Sequence, residues 1–381
     1  MDFRKSSMED LVMSQKVFNG IFKGKTVLIT GHTGFVGSWL TLWLNNLGAN
    51  VIGYSLNPPT NPALFDILNL GNEITNVVSD IREKEKLFET VKKYEPEFVF
   101  HLAAQSLVRN SYENPLDTFD INVIGTVNML EALRFSSSVK VGLIMTSDKC
   151  YDNKINHRPH VEDDPMGGID PYSASKGAAE LITSSYNDSF FNAIDDRAAI
   201  STIRAGNILG GGDWAKDRIV PDSINAIIKN QNIQIRNPDS IRPWQYVLEP
   251  ISGMLWLARK MHSNKEEFNQ SWNFGPNTEQ KFLTVKEIAD YILNKSNSSL
   301  KIDFSGNPNQ PFESKRLMIN PSKAYTNLGW KNIYTVDDTL SETIAWYKTY
   351  ENKQEDMKEF SISQIDNYIS SAKQVNINWT K

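Results

Sequence analysis

Three glycines at intervals of three residues, Gly31, Gly34 and Gly37, stand where one apolar run ends and an amphipathic one begins. The run before them, Lys25-Thr-Val-Leu-Ile-Thr30, reads as a buried strand. The stretch after, Gly34 to Leu47, reads as a helix closed by Gly48. Passing from strand to helix through so short a loop builds an α/β unit, and few other architectures accommodate it. Gly31 permits the tight turn, Gly34 lets a pyrophosphate approach the backbone at the helix N-terminus, and Gly37 lets the helix lie close on the strand. The spacing is GxxGxxG rather than GxGxxG. The loop is therefore read as a dinucleotide site, with Gly31, Thr33, Gly34, Phe35, Val36 and Gly37 against the cofactor.

The alternation continues. Asn50–Tyr54, Val77-Val78, Phe98–Leu102, Val141–Met145 and Ala199–Arg204 read as strands, with helices over about 83–94, 118–135 and 173–191 between them. Continuous apolar strands of this kind belong to a parallel sheet covered on both faces. The expected fold is α/β: a Rossmann-type doubly wound parallel sheet with a smaller mixed α/β C-terminal lobe that binds substrate. Expected boundaries are an N-terminal extension over 1–21 and a cofactor domain over 22–206, to which 245–275 returns. The lobe takes 207–244 and 276–350, and 351–381 is a polar tail in which 362–372 is helical.

Composition narrows the class. Forty Lys and Arg against 45 Asp and Glu give a net charge of −5, which offers no global field for a nucleic-acid polymer or an anionic membrane. No apolar run approaches the roughly 20 residues that cross a bilayer. The first 20 residues lack a signal-peptide core, and the single cysteine, Cys150, fits a reducing compartment. A cytoplasmic protein without metal is expected.

The second strand ends in Tyr54-Ser-Leu-Asn57, with neither the acid that usually holds the adenosine ribose nor an Arg. Asn57 is left to bond the 2′-hydroxyl, and the missing cation favours NAD over NADP. Asp80-Ile81, past the third strand, either contacts adenine or caps the next helix. Tyr172-Ser-Ala-Ser-Lys176 places Tyr and Lys on one helical face. A nearby cation favours the phenolate, which makes Tyr172 usable as an acid/base for a sugar hydroxyl. Loop, strands and pair together are similar to the short-chain dehydrogenase/reductase superfamily, and the length to its extended branch, which acts largely on nucleotide sugars.

The strand Val141–Met145 runs into Thr146-Ser-Asp-Lys-Cys-Tyr151. An alcohol dehydrogenase or 4-epimerase needs only the hydroxyl of Ser147 beside Tyr172; an added acid, Asp148, and base, Lys149, imply further proton transfers. With His101-Leu-Ala-Ala-Gln105, Arg204-Ala-Gly-Asn207, Gly210-Gly-Gly-Asp-Trp214 and Arg242-Pro-Trp-Gln245, this stretch resembles the CDP-glucose 4,6-dehydratase family over about residues 24–350. Val36 departs from that pattern, where Lys is usual.

The resemblance implies tightly bound NAD, regenerated in each turnover, and five catalytic residues: Ser147, Asp148, Lys149, Tyr172 and Lys176. It implies further cofactor contacts at Ala103, Ala104, Gln105 and Asn122. Substrate contacts are implied at Gln105, Ser147, Asn207, Arg218, Val220, Arg236 and Arg242, the arginines meeting the diphosphate. It also implies a homodimer through a four-helix interface made by 118–135 and 173–191, and a role in deoxysugar synthesis for surface polysaccharide. Rival readings are another nucleotide-sugar 4,6-dehydratase or a 4-epimerase, and a nucleotide-binding protein without catalysis. Presence of the whole Ser-Tyr-Lys set disfavours the last.

Overall fold

Val27 and Ile29 point to one side of the first strand and Leu28 to the other, and all three are buried. A strand apolar on both faces needs cover on both, and the rest of the fold supplies it. The computed structural model describes residues 17–152, 158–192, 197–278, 282–296, 298–304, 316–353 and 355–381. Seven strands form one parallel sheet: β1 (Thr26–Thr30), β2 (Asn50–Ser55), β3 (Thr75–Val78), β4 (Phe98–His101), β5 (Val141–Met145), β6 (Ala199–Ala205) and, later in the chain, Trp272–Phe274. Their order is Trp272–Phe274, β6, β5, β4, β1, β2, β3. The chain thus starts in the middle of the sheet and winds both ways, with Ile29 in register between Gly53 and Phe100. This is the doubly wound α/β fold expected.

On one face lie α1 (Phe35–Asn46), with Trp39 and Trp43 wholly buried, and further helices from the C-terminal half. On the other lie α2 (Lys84–Tyr94), α3 (Gly125–Phe135) and α4 (Pro171–Tyr186), the first two contributing Leu87, Val91, Met129 and Leu133. A wide five-residue turn, Asp120–Ile124, joins α3 to Pro115–Phe119, so the expected helix 118–135 has a local defect. Asp170 caps α4, its carboxylate accepting from Ser173 N at 2.9 Å, and Pro171 occupies the first turn, where a missing N–H costs nothing.

After β6 come β7 (Ile208–Leu209), α5 (Ile219–Ile228), β8 (Ile233–Ile235), β9 (Gln245–Tyr246), α6 (Leu248–Ser263), β10 (Trp272–Phe274), α7 (Val285–Lys295), β11 (Ile302–Phe304), α8 (Val336–Asn352) and α9 (Met357–Gln374). α5, α7 and the parallel pair β8–β11 form the small lobe around Ile233, Ile235, Ala289 and Leu293. The lobe is narrower than expected. α8 belongs to the main core, where Trp346 packs on Gly211, leaving no room there for a Cβ.

The two ends also differ from expectation. The polar composition of 351–381 predicts a tail with a helix over 362–372; α9 is longer than that and packs into the core, with Ile365, Tyr368, Ile369 and Ala372 buried. Beyond it, Trp379 stacks on Phe18 (centroids 5.2 Å apart) and on Tyr368 (5.7 Å), and Trp43 meets it edge-on at 6.1 Å. Val17 and Phe18, read as part of an extension, are core residues, and Asn19 N donates to the Lys381 carbonyl at 3.0 Å. The physical reason is that a few aromatic residues bury more area than the many polar ones around them suggest. Residues 1–16 lie outside the described residues. Among the described residues no helix is long and apolar enough to cross a membrane.

Candidate active site

A cavity of about 720 Å³ opens at the carboxyl ends of the strands, where the chain leaves the neighbouring strands β1 and β4 toward opposite faces of the sheet. Its floor is the glycine loop. Gly31 has φ +75°, and a Cβ there would stand 2.7 Å from Ala103 N; at Gly37 a Cβ would fall onto the Gly31 carbonyl. Gly34 differs: its nearest obstacle is the Gly31 carbonyl at 3.3 Å, and as N-cap of α1 it supplies no side chain. The first-turn N–H groups of α1 therefore stay available to an anion from the cavity side. Thr33 pins the loop to β2, with its hydroxyl 2.8 Å from Ser55 Oγ and donating to Leu56 O at 3.0 Å.

The two histidines near the loop are structural. His32 is buried beside Gly53, with Nε2 2.9 Å from Asn76 Oδ1, and burial takes its pKa down to about 4. His101, bonded to Thr30 Oγ1 at 2.7 Å, is held neutral by burial and by the Lys176 cation, with a pKa of about 3.

Above the loop sit the residues expected to be catalytic. Tyr172 hydrogen-bonds Ser147, and Ser147 Oγ donates to Asp148 Oδ1 at 3.0 Å. Lys149 Nζ stands 3.5 Å from that same oxygen. Asp148 is 1% exposed, and its other oxygen, Oδ2, is buried with no partner among the described residues. A buried carboxylate oxygen without a donor is costly, so it is a place prepared for a ligand hydroxyl. Burial pushes the Tyr172 hydroxyl up to about 12, against the opposing effects of the Ser147 bond and the Arg218 cation. Burial lowers Lys176 to about 8, and its ammonium donates to Met145 O at 3.2 Å.

Of the expected site residues, Gly31, Thr33, Gly34, Phe35, Val36, Gly37, Asn57, Asp80, Ile81, Ala103, Ala104 and Gln105 line the cofactor side of this cavity. Ser147, Asp148, Lys149, Tyr172, Lys176, Asn207, Arg218, Val220, Arg236 and Arg242 line the rest. Asn122 does not reach it; its amide donates to Gln105 O at 3.0 Å and to Ser175 Oγ at 2.9 Å, tying the loop after β4 to α4. The Gln105 side chain is occupied by Leu107 and Thr118, and its backbone N–H donates to Asn122 Oδ1 at 2.8 Å. Asp80 neither stands free nor caps a helix: Arg82 grips it, Nη2 to Oδ2 at 2.7 Å, and Glu83 is the N-cap of α2.

The expected Arg218 and Arg236 belong to a charged rim whose other members are Asp213, from Gly210-Gly-Gly-Asp-Trp214, and Asp217, Asp222 and Arg109, which carry no motif in the sequence. Arg218 pairs with Asp213 at 2.8 Å, and Asp217 takes Arg236 from the lobe and Arg109 from the body, the latter at 3.7 Å. Asp222 also lines the cavity, and burial with the neighbouring Asp217 raises it to about 6. Arg109 carries no local sequence signal beyond following the loop after β4. Of the two tryptophans weighed for stacking, Trp244 donates to Leu283 O at 2.8 Å and Trp214 packs edge-on against Tyr347.

Residues 28–343 match the model of a family described as GDP-mannose 4,6 dehydratase. The chain is 44% identical to a CDP-glucose 4,6-dehydratase of Salmonella typhimurium over 92% of this chain and 98% of that one. Among solved structures it is similar to UDP-glucose 4-epimerase of Thermotoga maritima (TM-score 0.75, 19% identity, 86% of this chain and 99% of that one). It is similar as well to a dTDP-glucose 4,6-dehydratase of Bacillus anthracis (TM-score 0.71, 20% identity, 86% and 98%).

Proposed function

Because the chain belongs to the GDP-mannose 4,6-dehydratase family, we propose that it dehydrates CDP-glucose to the 4-keto-6-deoxy sugar nucleotide with NAD as a retained cofactor. The observation that carries this is the Asp148–Lys149 pair in one cavity with Ser147, Tyr172 and Lys176, with Asp148 Oδ2 unpartnered. A 4-epimerase has no work for that acid and base.

The site fits NAD. The turn at Gly31–Gly37 leaves room for a pyrophosphate at the N-terminus of α1, and the cavity wall from Tyr54 to Leu64 carries neither Lys nor Arg for a 2′-phosphate. Asn57, Asp80 and Ile81 would flank the adenosine. NAD held there would supply a hydride acceptor for C4 and a hydride donor for C6. Tyr172, polarised through Ser147 and the Lys176 cation, receives the proton of the 4-hydroxyl. The C4 ketone acidifies the C5 proton, which Lys149 removes as a free amine. Asp148 gives its proton from Oδ2 to the departing 6-hydroxyl, and water leaves. Lys149 then returns its proton to C5 and the proton on Tyr172 passes through Ser147 to Asp148, so the residues are reset and the sugar undergoes no net oxidation. Arg218, Arg236 and Arg242 meet the diphosphate, the first two exchanging Asp213 and Asp217 for it.

Lys149→Ala tests the assignment. With CDP-glucose the variant should still oxidise C4, seen as reduced nicotinamide at 340 nm, yet yield no 4-keto-6-deoxy product. Product at near-native rate would remove Lys149 from the mechanism.

The molecule is further read as a cytoplasmic homodimer acting in deoxysugar synthesis for surface polysaccharide. The one cysteine, Cys150, is a buried free thiol, consistent with that compartment. Leu116 and Phe119 on the helix before α3, and Leu181 on α4, are exposed apolar side chains on adjacent helices that support a helical dimer face.

A further inference from the structure

Asp148 and Lys149 lie on a short irregular segment after β5, whereas Tyr172 and Lys176 lie on α4. Proton transfer at C5 and C6 demands that these two pieces keep one fixed offset. Glu180 is one helical turn beyond Lys176 and two beyond Tyr172, on the same face of α4. Its Oε1 accepts from the hydroxyl of Thr146, the residue just before Ser147. Its Oε2 accepts from Thr202 Oγ1 and from Arg204 Nη2, both at 2.7 Å.

Arg204 carries the connection onward. Nη1 donates to the Tyr151 hydroxyl and to Glu162 O, each at 2.8 Å, and the guanidinium lies over the Tyr151 ring at 5.0 Å. The Tyr151 hydroxyl in turn donates to Asn273 Oδ1 at 2.7 Å, and its ring stacks on His160 at 4.7 Å. Both ends of the Thr146–Tyr151 segment are thus bonded to one buried ion pair. Glu180, Arg204 and Tyr151 are all under 5% exposed, and none lines the cavity. Burying two charges is expensive, and an apolar cluster of equal volume would serve stability as well. What the ion pair adds is direction: a carboxylate and a planar guanidinium fix the angles of everything they hold.

We propose that Glu180, Arg204 and Tyr151 form a positioning clamp for the elimination half of the reaction, holding Asp148 and Lys149 against Tyr172 and Lys176. This rests on the reading of Asp148 and Lys149 given above. Displacement of an acid or base by about 1 Å is enough to slow its step by roughly 100-fold, whereas binding survives such a shift. Oxidation at C4 depends on Tyr172 and Lys176, both on α4, and on Ser147 beside the Thr146 tie; Lys149 lies nearer the Tyr151 tie, so loosening that tie falls first on the elimination.

Two variants separate clamp from scaffold. Tyr151→Phe keeps the ring and deletes the hydroxyl; Arg204→Lys keeps a cation beside Glu180 and loses the fork. Each is compared with the wild type for melting temperature, kcat and KM with CDP-glucose, and reduced nicotinamide in a single turnover. Expected are a near-native KM, kcat down about 10- to 100-fold, and accumulation of reduced cofactor because the C4 hydride is taken but not returned. If Arg204→Lys fails to fold, Tyr151→Phe alone decides the test. Folded variants with native kcat, or equal loss of cofactor reduction and product, overturn the clamp and leave the functional reading standing. A wild-type enzyme that makes no 4-keto-6-deoxy product from any sugar nucleotide overturns that reading, and the clamp with it.

Discussion

Gly34 and Gly37 lie three residues apart in one loop and should respond differently to an added methyl group. At Gly34 the backbone (φ −76°, ψ 170°) is open to alanine, and the new Cβ meets only the Gly31 carbonyl at 3.3 Å. Gly34→Ala should therefore melt within a few degrees of wild type while losing NAD affinity at least tenfold, because the methyl stands where the pyrophosphate approaches. At Gly37 the Cβ lands on the Gly31 carbonyl and 2.8 Å from His32 Cα, so α1 must move off β1. Gly37→Ala should cost about 1–3 kcal/mol of stability even without cofactor. Calorimetry with and without NAD measures both, and a native melting temperature for Gly37→Ala would refute the close-packing argument. These glycines were legible because each answers a local backbone demand. Tyr172 and Lys176 were legible because helical spacing is local too. Arg109 was not, since its place beside Asp217 exists only after the lobe folds back over the body.

Elements that carry their own pattern were found nearly residue for residue; β5 runs Val141–Met145, as read from its apolar run. α9 exceeds the helix expected over 362–372 because its buried stripe is interrupted by polar residues and its partners, from Trp43 to Tyr334, are scattered along the chain. Glu249, in the first turn of α6, reports how that helix is held. It is fully buried; Oε1 accepts from Ile333 N (2.8 Å) and Tyr334 N (2.7 Å), and Oε2 from the Tyr368 hydroxyl of α9 (2.7 Å). Burial outweighs these bonds and raises its pKa from 4.5 to about 7. A carboxyl that holds its proton more tightly when folded contributes stability in full below pH 4.5, and that contribution is lost as pH rises through 7. The loss amounts to roughly 3 kcal/mol across the window. Urea unfolding at pH 5 and pH 8 should show wild type falling by that much relative to Glu249→Gln. Parallel pH dependence in the two proteins would show that Glu249 is ionised throughout.

At the scale of the whole molecule, the sheet order follows from strand–helix alternation, but the partition into lobes does not. Chain segments distant in sequence, such as α8 and α9, join the main core through aromatic packing that no local pattern announces. Surface left over after such packing is informative in turn. Leu116 is 80% exposed and Leu181 62%, on helices that pack on each other, and neither serves the cavity. A stable homodimer needs about 800 Å² per partner with an apolar centre, and two adjacent helices from each of two chains supply such a face by twofold symmetry. If that face closes the dimer, the wild type should elute at twice the chain mass in sedimentation or light-scattering measurements. Leu116→Glu with Leu181→Glu places two carboxylates per chain in the apolar centre, four in the dimer, and should give monomer at micromolar concentration. Because Tyr172 and Lys176 lie on α4 beside Leu181, loss of the partner should also lower kcat more than it raises KM. A doubly substituted protein that remains dimeric would place the interface on another surface and leave these leucines as exposed residues without a partner chain.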